Sequence, residues 1–595
     1  MVAMLAALGL AIDVGNLYFS QRNLQKLASL AAIDAARVVS GCSGSNTVRS
    51  VAEVTDAVKA SIANNGGNVD TLFGDGGGST VELGRYDTAA DGSYVFSPLA
   101  AGDPTTSSVR VTLREPAPAR FIPVPGTATT NKLAASASAA QYPVGTFQTG
   151  ETLLNLDTGQ SALLNGLLTA LLGTNVSLSV ASYESLASVN LSIKDIGTAA
   201  GIDVNSNLKE LLDTQVTLPG ALNVLAQAVN IASGGTDVAA STLVSQLAAL
   251  ADPAQKTTWG TILGVEPIVE QVVTDVPFVD LLSLILALGE SANQGTPLAL
   301  PVSLNIPNLA QLYLFLTFAD GMQPSNGAGR AGYYDPGTYQ LPYTSAHQAD
   351  VTLSTRALID LSSDLLETGA TVNLGLDVEV GSGSAALDSI KCPAATQTTP
   401  IANIRATTAG GRVTIGTFTG SAADLPPVTG GTLTELKVLG IGVLTIILNP
   451  NDPEHGLSDP ILGDKTTTIQ YTHFVHDDKA KVVTYNALQD STNPYTFGSD
   501  QLITTTTQLV SDLLDCNNIA VMLLGANVCS VPLVAPVLSL VGDILAGVIG
   551  PLLDTIVDPL LHLLGIEVGA ITVQMNNVSV SHPVVFSTTV PPVTN

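Results

Sequence analysis

Charge is scarce in this chain of 595 residues: only 12% are Asp, Glu, Lys or Arg, about half the roughly 25% usual for soluble domains. Positive charge is the scarcest, with 22 Lys and Arg against 50 Asp and Glu and a net charge of −28. Such an anionic chain is repelled by phosphate backbones, so no nucleic acid is expected as a partner, and anionic bilayer surfaces are disfavoured for the same reason. Cysteine is nearly absent, and no two of Cys42, Cys392, Cys516 and Cys529 stand at the short spacing of a zinc site. The six histidines are scattered and form no acid–base constellation. No G-x-S-x-G or G-x-x-x-x-G-K-[ST] run occurs, and the Gly440-x-Gly442 pair lacks the third glycine of a dinucleotide loop. These absences point to a protein that is not an enzyme and that uses no cofactor and no metal.

Apolar residues, in contrast, are abundant. They make up 46% of the chain, with a mean hydropathy of +0.37, which excludes a wholly disordered chain. The length allows about three to five domains. Ser, Thr, Asn and Gly fill the places that charge leaves, a composition that suits an extracytoplasmic protein. In that compartment disulfides persist. Four cysteines allow three connectivities; the close pair Cys516 and Cys529, flanking a helix-like run from Asn517 to Val528, is the favoured bridge over two buried thiols.

The period of the apolar residues divides the chain into an α+β architecture: an N-terminal membrane and amphipathic helix (1–45), a small α+β unit (46–145), a helix-rich middle (146–325), and a β-rich part with C-terminal helices (326–595). In the small unit, Thr47–Ala63 reads as a helix, and Val81–Tyr86, Tyr94–Phe96, Val109–Leu113 and Leu133–Gln141 as strands, with a turn at Asp91-Gly92. From Phe147 to about Gly321 the helical period dominates, and Asn207 with Glu210 reads as a capping box. Leu281–Leu288, between Asp280 and Glu290, is too short to span a bilayer and reads as a core helix. Beyond a joint at Pro324–Pro342 the period becomes two, most clearly where Val372, Leu374, Leu376, Val378 and Val380 alternate with polar or small residues. Between Val531 and Gly569, Asp543, Asp554, Asp558 and His562 fall within about 100° of one another on a helix, an amphipathic packing segment that Pro551 and Pro559 divide into two or three pieces.

The N-terminus is the most specific part. Met1–Ile12 is uncharged, Asp13 interrupts it, and the first basic residue is Arg22. Twelve residues are short of the ~20 that cross a bilayer, and no basic flank precedes them, so the native reading frame is expected to begin upstream of Met1. Leu17, Leu24, Ala31 and Val38 then recur every seven residues, and Ala28, Ala31, Ala32, Ala35 and Ala36 leave room for another helix to approach. The run A-I-D-V-G-N-L-Y-F-S-Q-R-N-L-Q-K-L-A-S-L-A-A resembles the N-terminal signature of the bacterial Tad/Flp pilus-assembly TadE/TadG-like family, matched at Asp13, Val14, Gly15, Tyr18, Arg22, Leu24 and Gln25. Where that family places an Asp five residues after the leucine, this chain has Ser29. Later stretches, including VELGRYDTAADGSYVFSPL and LDTGQSALLNGLLTALLG, resemble the large TadG-like subgroup.

The resemblance implies a single N-terminal anchor in the bacterial inner membrane, with the bulk of the chain periplasmic or at the cell surface. It also implies partners among pilin-like or other Tad components, met through the N-terminal helix, and a non-enzymatic role in assembly or anchoring. The rival reading is a secreted or tethered hydrolase, ligand-binding protein or adhesin on the same anchor. Its best residues, His473, His476, Asp477 and Asp478, sit at a strand end where alternation separates the two imidazoles. Asp203, Asn205 and Asn207 begin like a calcium loop, but Leu208 stands where that loop needs Gly.

Overall fold

The computed structural model describes residues 2–39, 50–118, 132–149, 158–263, 279–301, 309–318, 326–334, 341–360, 371–392, 401–461, 466–477, 482–487, 495–498 and 515–586, with breaks of at most five residues inside these stretches. The α+β class holds, with an N-terminal helix, a helix-rich middle and a strand-rich C-terminal part.

The chain starts with one unbroken helix, α1 (Val2–Val39), followed by α2 (Val51–Asn64). Helix α2 begins where Ser50 and Glu53 form a reciprocal capping box, Glu53 N donating to Ser50 Oγ at 3.3 Å and Ser50 N to Glu53 Oε2 at 2.8 Å. Four strands follow: β1 (Thr80–Thr88), β2 (Tyr94–Pro98), β3 (Ser108–Pro116) and β4 (Lys132–Ala140). They form an antiparallel sheet in the order β2-β1-β3-β4, with the distant Val584–Phe586 as its fifth strand beside β4. The odd-numbered face, with Val109, Val111, Ala135 and Ala137, lies under α1 and α2 in one apolar core.

That core runs across the expected boundary at residue 45. The alanines expected to receive a partner helix, Ala28, Ala31, Ala32, Ala35 and Ala36, are all fully buried in the chain's own core. Their small side chains let α1 settle closely onto β3 and β4, whose facing positions are also Ala and Val.

The turn expected at Asp91-Gly92 lies outside the described residues. The unit does not close at residue 145 either. Strand β5 (Pro143–Thr149) enters a second sheet between Asn326–Arg330 and Ala570–Val580, so Phe147, expected in a helical region, is in a strand with partners on both sides. The chain passes between these two sheets twice, at Gln141–Tyr142 and at Ser581. The crossings are tied side by side: Gln141 Nε2 donates to Ser581 O at 2.9 Å, and Tyr142 N to Ser581 Oγ at 3.0 Å.

A larger core joins the helix-rich middle to the C-terminal part. Helices Thr158–Leu172, Leu218–Ala232, Val238–Leu250 and Leu281–Ala292 pack with a six-stranded sheet and with the C-terminal helices in one continuous apolar cluster. The expected boundary at residue 325 therefore does not separate two cores. Strand Leu309–Phe318 falls in the stretch where helical period was expected; it pairs with Leu298–Leu300 on one side and Val351–Asp360 on the other. The alternation in Thr371–Val380 is realised, with Val372, Leu374, Leu376, Val378 and Val380 buried. Asn207 breaks the helical geometry inside Val204–Asp213 and donates from its amide to Glu210 Oε2, so the helix proper starts there.

The C-terminal helices follow one path, in place of separate pieces. Ala535–Leu552 runs into a π-helical turn at Leu553–Val557 and on into Asp558–Leu563. Pro551 lies at the end of the first segment, and Pro559 directly after the π-helical turn. Asp543 and Asp554 are exposed, while Val541, Leu545, Val548 and Leu552 are buried. The run between Cys516 and Cys529 is a hairpin, not a helix: Ile519–Leu523 pairs with Gly442–Leu448 and with Ala526–Asn527. Ile519–Leu523 is a continuous apolar run with β-branched Ile519 and Val521, and such a run finds its partners in a sheet. The structure bonds Cys516 to Cys529, with Cα atoms 5.7 Å apart. Cys392 is disulfide-bonded too, and Cys42 lies outside the described residues.

On the far face of the six-stranded sheet, Arg356 is 2% exposed. Its Nη1 donates to Asp377 Oδ1 at 2.7 Å and its Nε to Pro426 O at 2.7 Å. Val428, two residues on, fills the depression over Gly375 and Gly416, where an added Cβ would meet it at 2.7 Å. One guanidinium thus ties a crossing loop to the sheet. Asp377→Ala, which strands that buried charge, is expected to lower unfolding free energy by about 3–5 kcal/mol in urea melts. A peptide map without reductant is expected to recover Cys516 and Cys529 as one linked pair; replacing both by Ser should cost about 3 kcal/mol in the chain-entropy account.

Candidate functional site

Helix α1 serves two different environments along its length. From Leu24 onward one stripe is buried on the sheet. Two glutamines fix its position: Gln21 Nε2 donates to Ala134 O at 2.8 Å and Gln25 Nε2 to Ser136 O at 3.0 Å. These carbonyls lie two residues apart on β4, so both point to the same edge of the strand. Strand Val584–Phe586 pairs with the next part of that edge, at Ser138–Ala140. The glutamines thus take carbonyls on the same sheet edge as the fifth strand.

The first half of α1 is inverted. Leu8, Leu10, Ile12, Val14, Tyr18 and Phe19 are 50–71% exposed, whereas Gly9 and Asp13 are buried. At 100° per residue the exposed positions sweep an arc of about 200°, and Gly9 and Asp13 fall in the remaining sector, in line with Leu24. A soluble amphipathic helix does the opposite, turning its large apolar side chains inward and its polar ones outward.

The motif residues separate along this division. Leu24 and Gln25 dock the helix. Val14, Tyr18 and Arg22 face outward, and Gly15 has open space where a Cβ would stand. Asp13 is buried. Gln21, which the sequence reading did not single out, shares the docking with Gln25, and the repeat of Gln at i and i+4 was the available signal.

The other sequence candidates do not come together as a site. Backbone pairing puts His473 opposite Asn486 and His476 opposite Val483 in strand Thr466–Asp477; their side chains and Asp478 lie outside the described residues. Among the described residues no group of three or more His, Cys, Asp or Glu converges. Also among them, Val541–Leu563 is the helix long and apolar enough to cross a membrane, and half of its most apolar window is buried inside the fold.

One buried carboxyl was missed. Leu281–Ala292 extends past the apolar run, so Glu290 lies inside the core helix and not at its end, 1% exposed and with Oε2 lacking a hydrogen-bond partner. Burial pushes its pKa well above the ordinary carboxylate value. Asp280 is also raised by burial, against the pull of its cap bonds from Ser283 N at 2.9 Å and Ser283 Oγ at 2.6 Å.

A family described as a domain of unknown function (DUF8293) matches residues 160–287. No curated protein and no solved structure matches the chain. The matched stretch begins in helix Thr158–Leu172 and ends within Leu281–Ala292, so it covers the helical layer and leaves out α1 and the N-terminal sheet.

Glu290 makes the helical layer sensitive to pH. The folded state holds this proton above the unfolded value of 4.5, so stability is greatest below that value and is lost as pH rises through the folded pKa. The steepest loss is about 1.4 kcal/mol per pH unit. Urea midpoints across a pH series should show this slope in the native chain, and Glu290→Gln should flatten it.

Proposed function

We propose that this chain is a non-enzymatic, membrane-anchored, extracytoplasmic component of a Tad/Flp-type pilus assembly system, acting in assembly or anchoring. The single observation that carries the membrane part is the inversion of α1, with large apolar side chains outward and Gly9 and Asp13 inward. Lipid is the solvent in which such a helix is at ease, because exposed Leu and Ile there cost nothing and a covered Asp avoids hydrocarbon. The pilus part rests on the motif from Asp13 to Gln25 and its resemblance to TadE/TadG-like proteins. The burial of the alanine stripe redirects the expected contact: pilin-like or other Tad partners meet the outward positions of the first half, around Val14 and Tyr18, and not Ala28–Ala36.

The full chain is expected to partition into the detergent-rich phase and to resist alkaline extraction from membranes. Leu10→Glu with Ile12→Glu adds two charges at exposed apolar positions, at about 2.5–3.5 kcal/mol each for a central site, and should leave the chain in the aqueous phase with its thermal melt unchanged. Equal partitioning of the two proteins would end the anchor reading. A photo-cross-linker at position 18, in cells assembling such pili, should capture a pilin-like subunit; one at position 32 should not.

A further inference from the structure

Net charge conceals an uneven distribution. Residues 1–132 carry 10 basic and 11 acidic side chains, a net of −1, whereas 133–595 carry 12 and 39, a net of −27. The N-terminal sheet and its helix are therefore almost neutral, and they hold nearly half of the chain's cations.

Geometry places some of these cations at one height. Gln21 and Gln25 lie about 6 Å apart along the helix, and their acceptors Ala134 and Ser136 about 7 Å apart along β4. The two elements therefore run in the same direction, side by side. One further step back along β4 brings Lys132 level with Leu17 and Tyr18, where the inverted half of α1 ends. Arg114 pairs with Ala134 and so stands level with Gln21 and Arg22, on the face of the sheet away from α1. Lys132 Nζ and Arg114 Cδ both lie within 4.0 Å of the position a Cβ would take on Gly78. Arg22, Arg114 and Lys132 are all exposed. Glu115, a described acid at this height, has the strand parity of the face beneath α1 and is half-buried. The exposed aromatics Tyr18 and Phe19 sit at the same level, the position such rings take between hydrocarbon and water.

We infer that Arg22, Arg114 and Lys132 contact the phosphates of anionic phospholipids at the level where α1 leaves the bilayer. This rests on the anchor reading above. Strand β4 runs about 27 Å away from this level, from Lys132 to Ala140, before the acidic remainder begins. That distance exceeds the ~10 Å Debye length, so the −27 of the body does not cancel the local attraction.

The test uses the full chain reconstituted in phosphatidylcholine bilayers with a trace of spin-labelled phosphatidylglycerol or spin-labelled phosphatidylcholine. The motionally restricted fraction of each label reads relative association. A preference for phosphatidylglycerol is expected, up to about fivefold for each cation. It should fall stepwise in Arg22→Gln, Arg114→Gln and Lys132→Gln, and in high salt. Because Lys132 also donates to Gly77 O at 3.3 Å, each variant is checked by thermal melting, and Arg22→Gln, on the helix surface, gives the reading independent of that loop. Equal restriction of both labels in the native chain would overturn the headgroup contact while leaving the anchor intact. No restricted fraction for either label would overturn the anchor reading and this inference with it.

Discussion

The docking of α1 on β4 sets most of what surrounds it. A helix of 38 residues, about 57 Å long, is longer than the small sheet beneath it, and its continuous buried stripe on that sheet begins at Leu24. Alanines on the helix meet alanines and valines on the sheet, and the close approach brings Gln21 and Gln25 within reach of strand carbonyls. A bulkier stripe would hold the helix away and leave those carbonyls without donors. Because the helix does not break between its two halves, whatever holds the first half also holds the domain.

The division into element types was largely readable, and for physical reasons. Strand β3 and Thr371–Val380 cover the positions their alternation implied, because each turns one complete apolar face inward. Ser50 and Glu53 fixed the start of α2 more sharply than hydropathy did. The failures were tertiary. Leu309–Phe318 and the part of β5 from Phe147 fell in the stretch read as helical because their apolar residues are buried on both sides, which removes the alternation. The hairpin inside the disulfide loop, Ile519–Asn527, gave too short a window for any period to declare itself.

The candidate site was legible in identity and not in role. The motif named the right helix, but spacing alone put the alanine stripe outward and the apolar N-terminal half in continuity with it. Only burial separates the residues that dock from those that face outward. Charge behaved in the same way. Summed over the chain it argues against anionic surfaces; distributed along β3, β4 and α1 it argues for one. Glu290 was hidden because a single acid at the end of an apolar run reads as a boundary, whereas the helix continues two residues beyond it.

The two crossings beside Ser581 also decide how the molecule bears load. Strand β4 and Val584–Phe586 lie antiparallel in the same sheet, and each leads directly into the body through a tied crossing. A pull on the body, directed away from α1, acts along the length of β4 and reaches the sheet through its ladder with β3. The hydrogen bonds of the ladder lie across that direction and yield together instead of one after another. A ladder loaded in this way resists tension better than one whose bonds open in turn.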